Sequence, residues 1–283
     1  MSKTLSGFGD DSTLPAIGLG TYRLRGRRGA DAVVSAVRTG YRLIDSAFSY
    51  ENEGSVSDGV ARAIAEGLAS RAELIVTSKV PGRHFGYEQT LAAVEESAAR
   101  MRSIGAIDLY LIHWPNPEQN KYVDTWRALI EARERALVRH IGVSNFLPEH
   151  IDRIEAATGV LPAVNQIESH PRFPNTEQIA YDAERGITTE AWSPIGRGSD
   201  LLADPLIGEV AAAHGVTAAQ AVLAWHMARG VVPIPKSSSA GRQAENLAAA
   251  AIILDPAEVE TISSLGRPDG RLAGQDPAVY EEM

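Results

Sequence analysis

The sequence predicts a (β/α)8 barrel, an α/β fold of eight parallel strands that alternate with helices. Two patterns and the length support this prediction: eight short apolar runs bounded by turn residues, helically spaced apolar residues between them, and 283 residues in all. Continuous apolar strands that alternate with helices indicate a parallel sheet covered on both faces. Eight such units in about 250 residues fit a closed barrel better than an open sheet.

The predicted strands are runs rich in β-branched and other apolar residues. They lie at residues 17–19, 41–44, 74–77, 109–112, 140–143, 163–167, 187–191 and 231–234. Before the first run, turn residues at 9–11 predict a short N-terminal hairpin, and a C-terminal tail follows residue 265. We expect one domain over residues 1–283, because no linker-like segment interrupts the pattern.

Apolar residues at helical spacing fill the segments between strands. Clear examples are residues 30–38, 91–101, 125–137, 151–157 and 218–228. Thr217 with Gln220, and Asp255 with Glu258, have the spacing of a capping box at a helix start. Glycines at positions 40, 159 and 186 follow helical segments and mark their ends.

Composition excludes several classes of protein. The longest apolar run, residues 247–254, is far shorter than the roughly 18 residues that a membrane span needs. The sequence has no cysteine, which excludes disulfides, a thiolate nucleophile and a cysteine-ligated metal. The formal net charge of −9 makes nucleic acid an unsuitable partner. Since no apolar leader is visible either, we expect a cytoplasmic protein. We also expect it to be a monomer that acts on a small molecule.

Four ionisable residues follow three consecutive predicted strands. Asp45 and Tyr50 follow the second strand, Lys79 the third and His113 the fourth. Catalytic residues of an eight-unit barrel lie at the carboxyl ends of its strands, so we expect these side chains to converge. A lysine ammonium beside a tyrosine lowers the pKa of the phenol, and a carboxylate holds the lysine in place. Such a group exchanges a proton with an alcohol or carbonyl oxygen.

Each of these residues also has a purely structural interpretation. Asp45 fits a helix cap or strand end, Tyr50 rim packing, Lys79 a surface side chain and His113 a core histidine. Only their combination favours catalysis. Motifs for other chemistries are missing from the sequence: it has no H-E-x-x-H, no P-loop, no G-x-S-x-G and no G-x-G-x-x-G. We therefore predict no metal site and no Rossmann nucleotide site.

Eight short motifs occur in an order that resembles one enzyme family. They are GLGTY at 18–22, YRLIDSA at 41–47, TSK at 77–79, DLYLIHWP at 108–115, IGVSNF at 141–146, VNQ at 164–166, WSP at 192–194 and PKS at 235–237. In this order they resemble the aldo-keto reductases, in particular the bacterial branch of 2,5-diketo-D-gluconic acid reductases. The resemblance covers essentially the whole chain.

The resemblance implies an NADPH-dependent oxidoreductase that reduces aldehydes, α-dicarbonyls or keto sugars. The cofactor, NADPH or NADP+, would lie across the carboxyl-end rim of the barrel. Tyr50 would be the general acid and Lys79, paired with Asp45, would lower its pKa. His113 would orient the carbonyl. Two alternatives remain: a barrel that binds NADPH as a redox-sensing or regulatory module, and a Schiff-base lyase that uses Lys79.

The resemblance also implies a set of cofactor contacts. Ser144, Asn145 and Gln166 would bind the nicotinamide carboxamide, and Trp192 would stack on its ring. Residues 193–197 would lie near the pyrophosphate, and residues 236–246 near the adenosine and its 2′-phosphate, although residues 237–239 also fit a capped helix start. The implied set is Thr21, Tyr22, Asp45, Ser144, Asn145, Gln166, Trp192, Ser193, Pro194, Ile195, Gly196, Arg197, Lys236, Ser237, Ser238, Ser239, Arg242, Glu245 and Asn246.

Two departures from the family pattern concern specificity. Ser239 stands where relatives often have a basic residue, which leaves one charge fewer for the phosphate. Pro81 and Gly82 stand where relatives often have a substrate-pocket tryptophan, so we expect a wider pocket there. Candidate pocket walls are Tyr22, Phe48 and Trp114, each of which also fits simple rim packing.

Overall fold

Ten strands and ten helices make up the structure, a computed structural model that describes residues 3–4 and 13–282. The first two strands, β1 (Lys3–Thr4) and β2 (Thr13–Leu14), pair antiparallel, as the predicted N-terminal hairpin requires. The turn expected at 9–11 lies outside the described residues.

The other eight strands form one parallel sheet in chain order. They are β3 (Leu19–Gly20), β4 (Leu43–Asp45), β5 (Ile75–Val80), β6 (Ile107–Ile112), β7 (Val138–Ser144), β8 (Val164–Glu168), β9 (Thr188–Trp192) and β10 (Val232–Pro233). The backbone N–H of Gly18 donates to the carbonyl oxygen of Pro233, and that of Gly20 donates to the carbonyl oxygen of Pro235. Both hydrogen bonds measure 3.0 Å. These bonds bring the first and last strands together, so the predicted barrel is confirmed.

The helices alternate with the strands and surround them. They are α1 (Gly26–Thr39), α2 (Glu53–Ala65), α3 (Tyr87–Arg100), α4 (Tyr122–Glu134), α5 (Pro148–Thr158), α6 (Thr176–Glu184), α7 (Pro205–His214), α8 (Ala218–Ala228), α9 (Ala240–Ala248) and α10 (Pro256–Ser263). Both predicted capping boxes are confirmed, at Thr217 before α8 and at Asp255 before α10.

The strands divide their side chains between two apolar regions. Leu109 and Leu111 of β6 pack with Leu43 and Ile234 in a cluster of strand residues. Tyr110 and Ile112 of the same strand join the larger cluster that includes helix residues such as Trp126. Because successive side chains of a strand point to opposite faces, one strand contributes to both regions.

α1 and α2 pack closely because of one glycine. A Cβ atom on Gly59 of α2 would lie 2.7 Å from the carbonyl oxygen of Ala30 and 2.7 Å from Cβ of Val33, both in α1. Only glycine allows the two helix backbones to approach this far. This packing fixes α2 beside the loop that carries Tyr50.

Within residues 3–4 and 13–282, none of the helices alone has the length and apolar character of a membrane span. α7 and α8 meet those two criteria only when taken together, and they are bent by 87° relative to each other.

Candidate active site

Lys79 and Asp45 form an ion pair at the carboxyl end of the sheet. Asp45 ends β4, and Lys79 lies on the adjacent strand β5. Nζ of Lys79 lies 2.5 Å from Oδ1 of Asp45 and donates a second hydrogen bond, of 2.8 Å, to the carbonyl oxygen of Ser46. The Lys79 side chain is 0% exposed. Since a buried unpaired charge is costly, each partner compensates the charge of the other and holds it in place.

Tyr50 and His113 lie next to this ion pair. Tyr50 ends a one-turn 3-10 helix, Phe48–Tyr50, after β4, and His113 directly follows β6. Nζ of Lys79 lies 5.4 Å from the centroid of the Tyr50 ring. The rings of Tyr50 and His113 meet edge to face, with centroids 5.8 Å apart. The barrel thus brings the four predicted residues together.

The phenol of Tyr50 is held in its protonated form. Burial raises the pKa of Tyr50 well above 10, and the carboxylates of Asp45 and Glu282 raise it further. The lowering expected from Lys79 does not prevail against the effect of burial, and Asp45 at 2.5 Å offsets the ammonium charge. The predicted direction of the shift was therefore wrong. A neutral phenol is nevertheless the form that donates a proton to a carbonyl oxygen.

Gln166 links the ion pair to a buried carboxyl group that sequence reasoning missed. Its Nε2 donates a hydrogen bond of 2.9 Å to Oδ1 of Asp45 and one of 2.7 Å to Oε2 of Glu190. Burial, and then repulsion by Asp45, raise the pKa of Glu190 to about 7. A glutamate inside the apolar run 187–191 was the signal available. Both amide hydrogens of Gln166 are used, so only its carbonyl oxygen remains for a ligand.

Asn145 fixes the aromatic wall of the site. Its Nδ2 donates to the carbonyl oxygen of His113 over 3.0 Å and to Oγ of Ser144 over 3.1 Å. Its Oδ1 accepts a 2.7 Å hydrogen bond from Nε1 of Trp192. The indole N–H is therefore satisfied by the protein and the ring orientation is set. Any ligand contact to the Asn145 amide has to share one of these bonds.

A cavity of about 680 Å³ opens at this end of the barrel. Many of the predicted residues line it: Tyr22, Asp45, Tyr50, His113, Trp114, Ser144, Asn145, Gln166, Trp192, Ser193, Pro194, Ile195, Arg197 and Lys236. The other predicted site residues lie outside its lining: Thr21, Phe48, Lys79, Gly196, Ser237, Ser238, Ser239, Arg242, Glu245 and Asn246. A volume of this size is typical of a small-molecule site.

Two exposed cations after β10, Lys236 and Arg242, form an exposed basic strip. Lys236 follows β10, and Arg242 lies in the first turn of α9. Both side chains are exposed, and within the described part of the chain neither has an ion-pair partner. Ser237 is buried, and its Oγ accepts a 3.2 Å hydrogen bond from the N–H of Ser239. Ser239 is the N-cap residue of α9 but makes no side-chain capping bond, so the helix starts here without the expected cap.

Glu245 and Asn246 belong to the inner side of α9. Asn246 is buried, and Oε1 of Glu245 accepts a 2.7 Å hydrogen bond from Oγ1 of Thr217, at the start of α8. The Glu245 contact joins α9 to α8. Thr21 likewise makes an internal contact, since its Oγ1 donates to the carbonyl oxygen of Asp45 over 2.8 Å.

Comparisons with known proteins agree on one family. The model of the Aldo/keto reductase family matches residues 16–267. A 2,5-diketo-D-gluconic acid reductase B from Corynebacterium sp. is 47% identical over 266 residues, 94% of each chain. An aldo-keto reductase from Bombyx mori, solved in complex with NADP, is 32% identical, with a TM-score of 0.90 and coverage of 100% of this chain and 98% of that one. A Gox0644 variant solved with NADPH is 41% identical, with a TM-score of 0.88 and coverage of 99% and 100%.

The chain belongs to the aldo/keto reductase family. The resemblance seen in the eight motifs is confirmed, and with it the barrel fold. The reaction class follows from the family: the protein is an oxidoreductase that acts on aldehydes or ketones.

In this aldo/keto reductase, Phe48 is not a pocket wall. Its ring is buried, with its centroid 4.7 Å from that of His84 and 4.1 Å from the guanidinium carbon of Arg100. Phe48 is not among the residues that line the cavity. The predicted pocket role of Phe48 is therefore corrected, whereas Tyr22 and Trp114 do line the cavity.

The wider pocket expected at Gly82 is also absent. A Cβ atom on Gly82 would lie 2.1 Å from Nδ2 of Asn116 and 2.4 Å from the carbonyl oxygen of Glu282. The space is filled by the C-terminal tail of the reductase. Gln275, Tyr280 and Glu282 of that tail line the cavity and were not predicted, because no sequence pattern shows where an irregular tail docks.

Proposed function

We propose that this protein reduces aldehyde and ketone carbonyls with NADPH, with Tyr50 as the general acid. The observation that carries the proposal is a protonated phenol on the cavity wall, beside an imidazole and a buried ammonium–carboxylate pair. A positioned proton donor of this kind is worth about 10² to 10⁴ in rate.

The residues present fit a nicotinamide dinucleotide phosphate. The Trp192 ring is fixed at the cavity wall, and the carbonyl oxygen of Gln166 is left to accept from a carboxamide. Lys236 and Arg242 are exposed cations without ion-pair partners among the described residues, which suits a phosphate dianion. The bound cofactor supplies the hydride.

The protein supplies position and a proton. Tyr50 donates the phenolic proton to the carbonyl oxygen as that oxygen gains negative charge. His113 donates a hydrogen bond to the same oxygen and so orients the substrate. Lys79 stabilises the phenolate that Tyr50 becomes. Asp45 and the carbonyl oxygen of Ser46 hold the Lys79 ammonium in position for this role.

The geometry supports turnover rather than the two alternatives. A module that only senses NADPH has no need of a phenol, an imidazole and an ion pair around one cavity. A Schiff-base lyase needs a neutral, accessible lysine amine. Lys79 is 0% exposed and paired with Asp45, which disfavours that chemistry.

For the substrate we propose the class of α-dicarbonyls and keto sugars. The support is the 47% identity to a 2,5-diketo-D-gluconic acid reductase B and a cavity with polar as well as aromatic walls. A cytoplasmic location, a monomeric state and a single domain over residues 1–283 stay predictions of the sequence.

The test is to assay a panel of aldehydes, α-dicarbonyls and keto sugars, with turnover measured as the loss of NADPH absorbance. We expect turnover with several members and none after Tyr50→Phe. NADPH binding without turnover on any member would favour the sensing role instead. Covalent capture of a substrate by borohydride at Lys79 would favour the lyase.

A further inference from the structure

Residues 280–282 of the C-terminal tail dock on the loop that follows β6. The ring of Tyr280 packs on Trp114, with centroids 4.5 Å apart. The side chain of Asn116 donates to the carbonyl oxygen of Glu282 over 2.7 Å and accepts from its N–H over 3.2 Å. These two bonds satisfy both the N–H and the carbonyl group of Glu282 and fix its backbone position.

Asn116 and Gly82 are suited to this docking. Asn116 is fully buried and has a φ of 46°, in the left-handed region that asparagine tolerates better than most residues. Gly82 has no room for a Cβ atom, which would meet Asn116 and Glu282. The tail position therefore depends on particular residues in two barrel loops.

The docked tail places a carboxylate on the active-site histidine. Oε1 of Glu282 lies 2.8 Å from Nδ1 of His113, and each side chain is only 12% exposed. Oγ of Ser49 lies 3.4 Å from the same nitrogen. The other carboxylate oxygen of Glu282 is buried and has no partner among the described residues. The strongest acceptor beside His113 thus comes from the penultimate residue of the chain.

A carboxylate on one ring nitrogen determines what the other nitrogen does. An ionised carboxylate only accepts hydrogen bonds, so Nδ1 must carry a proton. The contact fixes the orientation of the ring and leaves Nε2 available to the substrate oxygen. Because Nδ1 already holds one proton, Nε2 donates a hydrogen bond to that oxygen only when the ring carries a second proton.

We propose that Glu282 is a positioning residue for His113. Through it, the tail sets the orientation and protonation of the imidazole that orients the carbonyl. This inference rests on the proposed carbonyl reduction, so the wild-type protein must first turn over a substrate. Absence of wild-type turnover would refute the proposed function; the outcomes below concern Glu282 alone.

The experiment is a double-mutant cycle between Glu282 and His113, with single-turnover rates at saturating NADPH. Glu282→Ala should lower the rate by about tenfold to hundredfold, the usual cost of a misplaced catalytic group. In the His113→Ala background the same substitution should have no further effect. An equal loss in both backgrounds would overturn the proposal, since Glu282 would then act as a pocket wall. A wild-type rate in Glu282→Ala would overturn it as well.

A second measurement needs no cofactor or substrate. Nitrogen-15 spectra of the histidine side chains should show a protonated Nδ1 on His113 in the wild type and in Glu282→Gln, whose amide oxygen still accepts. That signal should be lost or shifted in Glu282→Ala. An unchanged His113 spectrum in Glu282→Ala would contradict the proposed contact.

The matched control is Glu281→Ala in the same tail. Oε1 of Glu281 accepts a hydrogen bond from the N–H of Glu118 over 2.7 Å, which helps to dock the tail, and the described structure gives it no contact with His113. We expect near wild-type turnover and an unchanged His113 spectrum. A loss equal to that of Glu282→Ala would show that docking of the tail, not the carboxylate, matters.

Discussion

The two ends of the proposed site hold their charges in opposite ways. Lys79 is buried and its ammonium has two partners within 2.8 Å. Lys236 and Arg242 are exposed, and no ion pair occupies them in the part of the chain that is described. The barrel thus organises the groups for chemistry in advance, whereas the cations proposed for the phosphate remain available to a ligand.

The physical reason lies in the environment of each charge. A buried ion pair costs desolvation energy and is stable only with complete partners, so its geometry is rigid. Exposed cations are solvated and mobile, and a phosphate can compete for them without breaking a protein contact. Substitutions in the buried region should therefore change rates, and substitutions in the exposed strip should change affinities.

The largest effect is expected from Tyr50→Phe. This substitution removes only the phenolic hydroxyl, so the rate of carbonyl reduction should fall by about 10² to 10⁴. The dissociation constant of NADPH, measured by quenching of protein fluorescence, should stay close to the wild-type value. Retention of more than about a tenth of the wild-type turnover would contradict the assignment of Tyr50 as the acid.

The second effect concerns the ion pair. In Lys79→Met the carboxylate of Asp45 loses its counterion, and the pKa of Tyr50, already raised by burial, rises further. Alcohol oxidation needs the phenolate, so its rate should begin to rise at a higher pH than in the wild type. An unshifted pH profile would argue against the role given to Lys79.

The control for Lys79→Met is the double variant with Asp45→Asn. If Asp45 acts through Lys79, the double variant should be little slower than Lys79→Met alone. Additive losses would indicate that Asp45 has a role of its own, such as a contact with the cofactor.

The third effect concerns the burial of Glu190 and the pH dependence of stability that it causes. Burial raises the pKa of Glu190 to about 7 from 4.5, so folded chains keep a proton that unfolded chains have released. Stability should fall as the pH rises from about 4.5 to 7, by about 3 kcal/mol. In Glu190→Gln this part of the fall should disappear. Urea unfolding at pH 5 and pH 8 checks the prediction, and parallel changes in both proteins would contradict it.

The fourth effect moves to the exposed strip. Arg242→Ala should weaken NADPH binding by about tenfold to hundredfold, the range for hydrogen bonds to a charged group, and leave NADH nearly unchanged. Dissociation constants for both cofactors decide the matter. Equal losses for NADH and NADPH would show that Arg242 does not bind the 2′-phosphate.

The smallest effect is expected from Ser239→Arg. An added exposed charge contributes at most about 1 kcal/mol, so the preference for NADPH over NADH should rise by less than about fivefold. The gain should shrink as the ionic strength is raised, because solvent screens exposed charges. A gain that is independent of salt would mean that the new side chain packs rather than pairs.

Sequence reasoning anticipated what local patterns determine. The eight strands follow from apolar runs, and the meeting of Asp45, Lys79 and His113 follows from parallel strands whose carboxyl ends share one rim. The motifs then identified the family. Both capping boxes were visible in the same way, because a cap depends on residues three positions apart.

It did not anticipate contacts that only the folded chain creates. Glu282 meets His113 across a separation of 169 residues in the sequence, and nothing near residue 282 indicates that contact. The upward pKa shift of Tyr50 depends on burial, which spacing does not reveal. Phe48 was misplaced because an aromatic residue between two site residues looks the same whether it faces the cavity or the core.

If chemistry and phosphate binding are separable, Tyr50→Phe and Arg242→Ala should change different kinetic parameters. Single-turnover oxidation of NADPH by a carbonyl substrate is measured over a range of NADPH concentrations in Tyr50→Phe, in Arg242→Ala and in the wild type. We expect a rate lowered at least about a hundredfold with unchanged half-saturation in Tyr50→Phe, and an unchanged maximal rate with raised half-saturation in Arg242→Ala. A raised half-saturation in Tyr50→Phe, or a lowered maximal rate in Arg242→Ala, would contradict it.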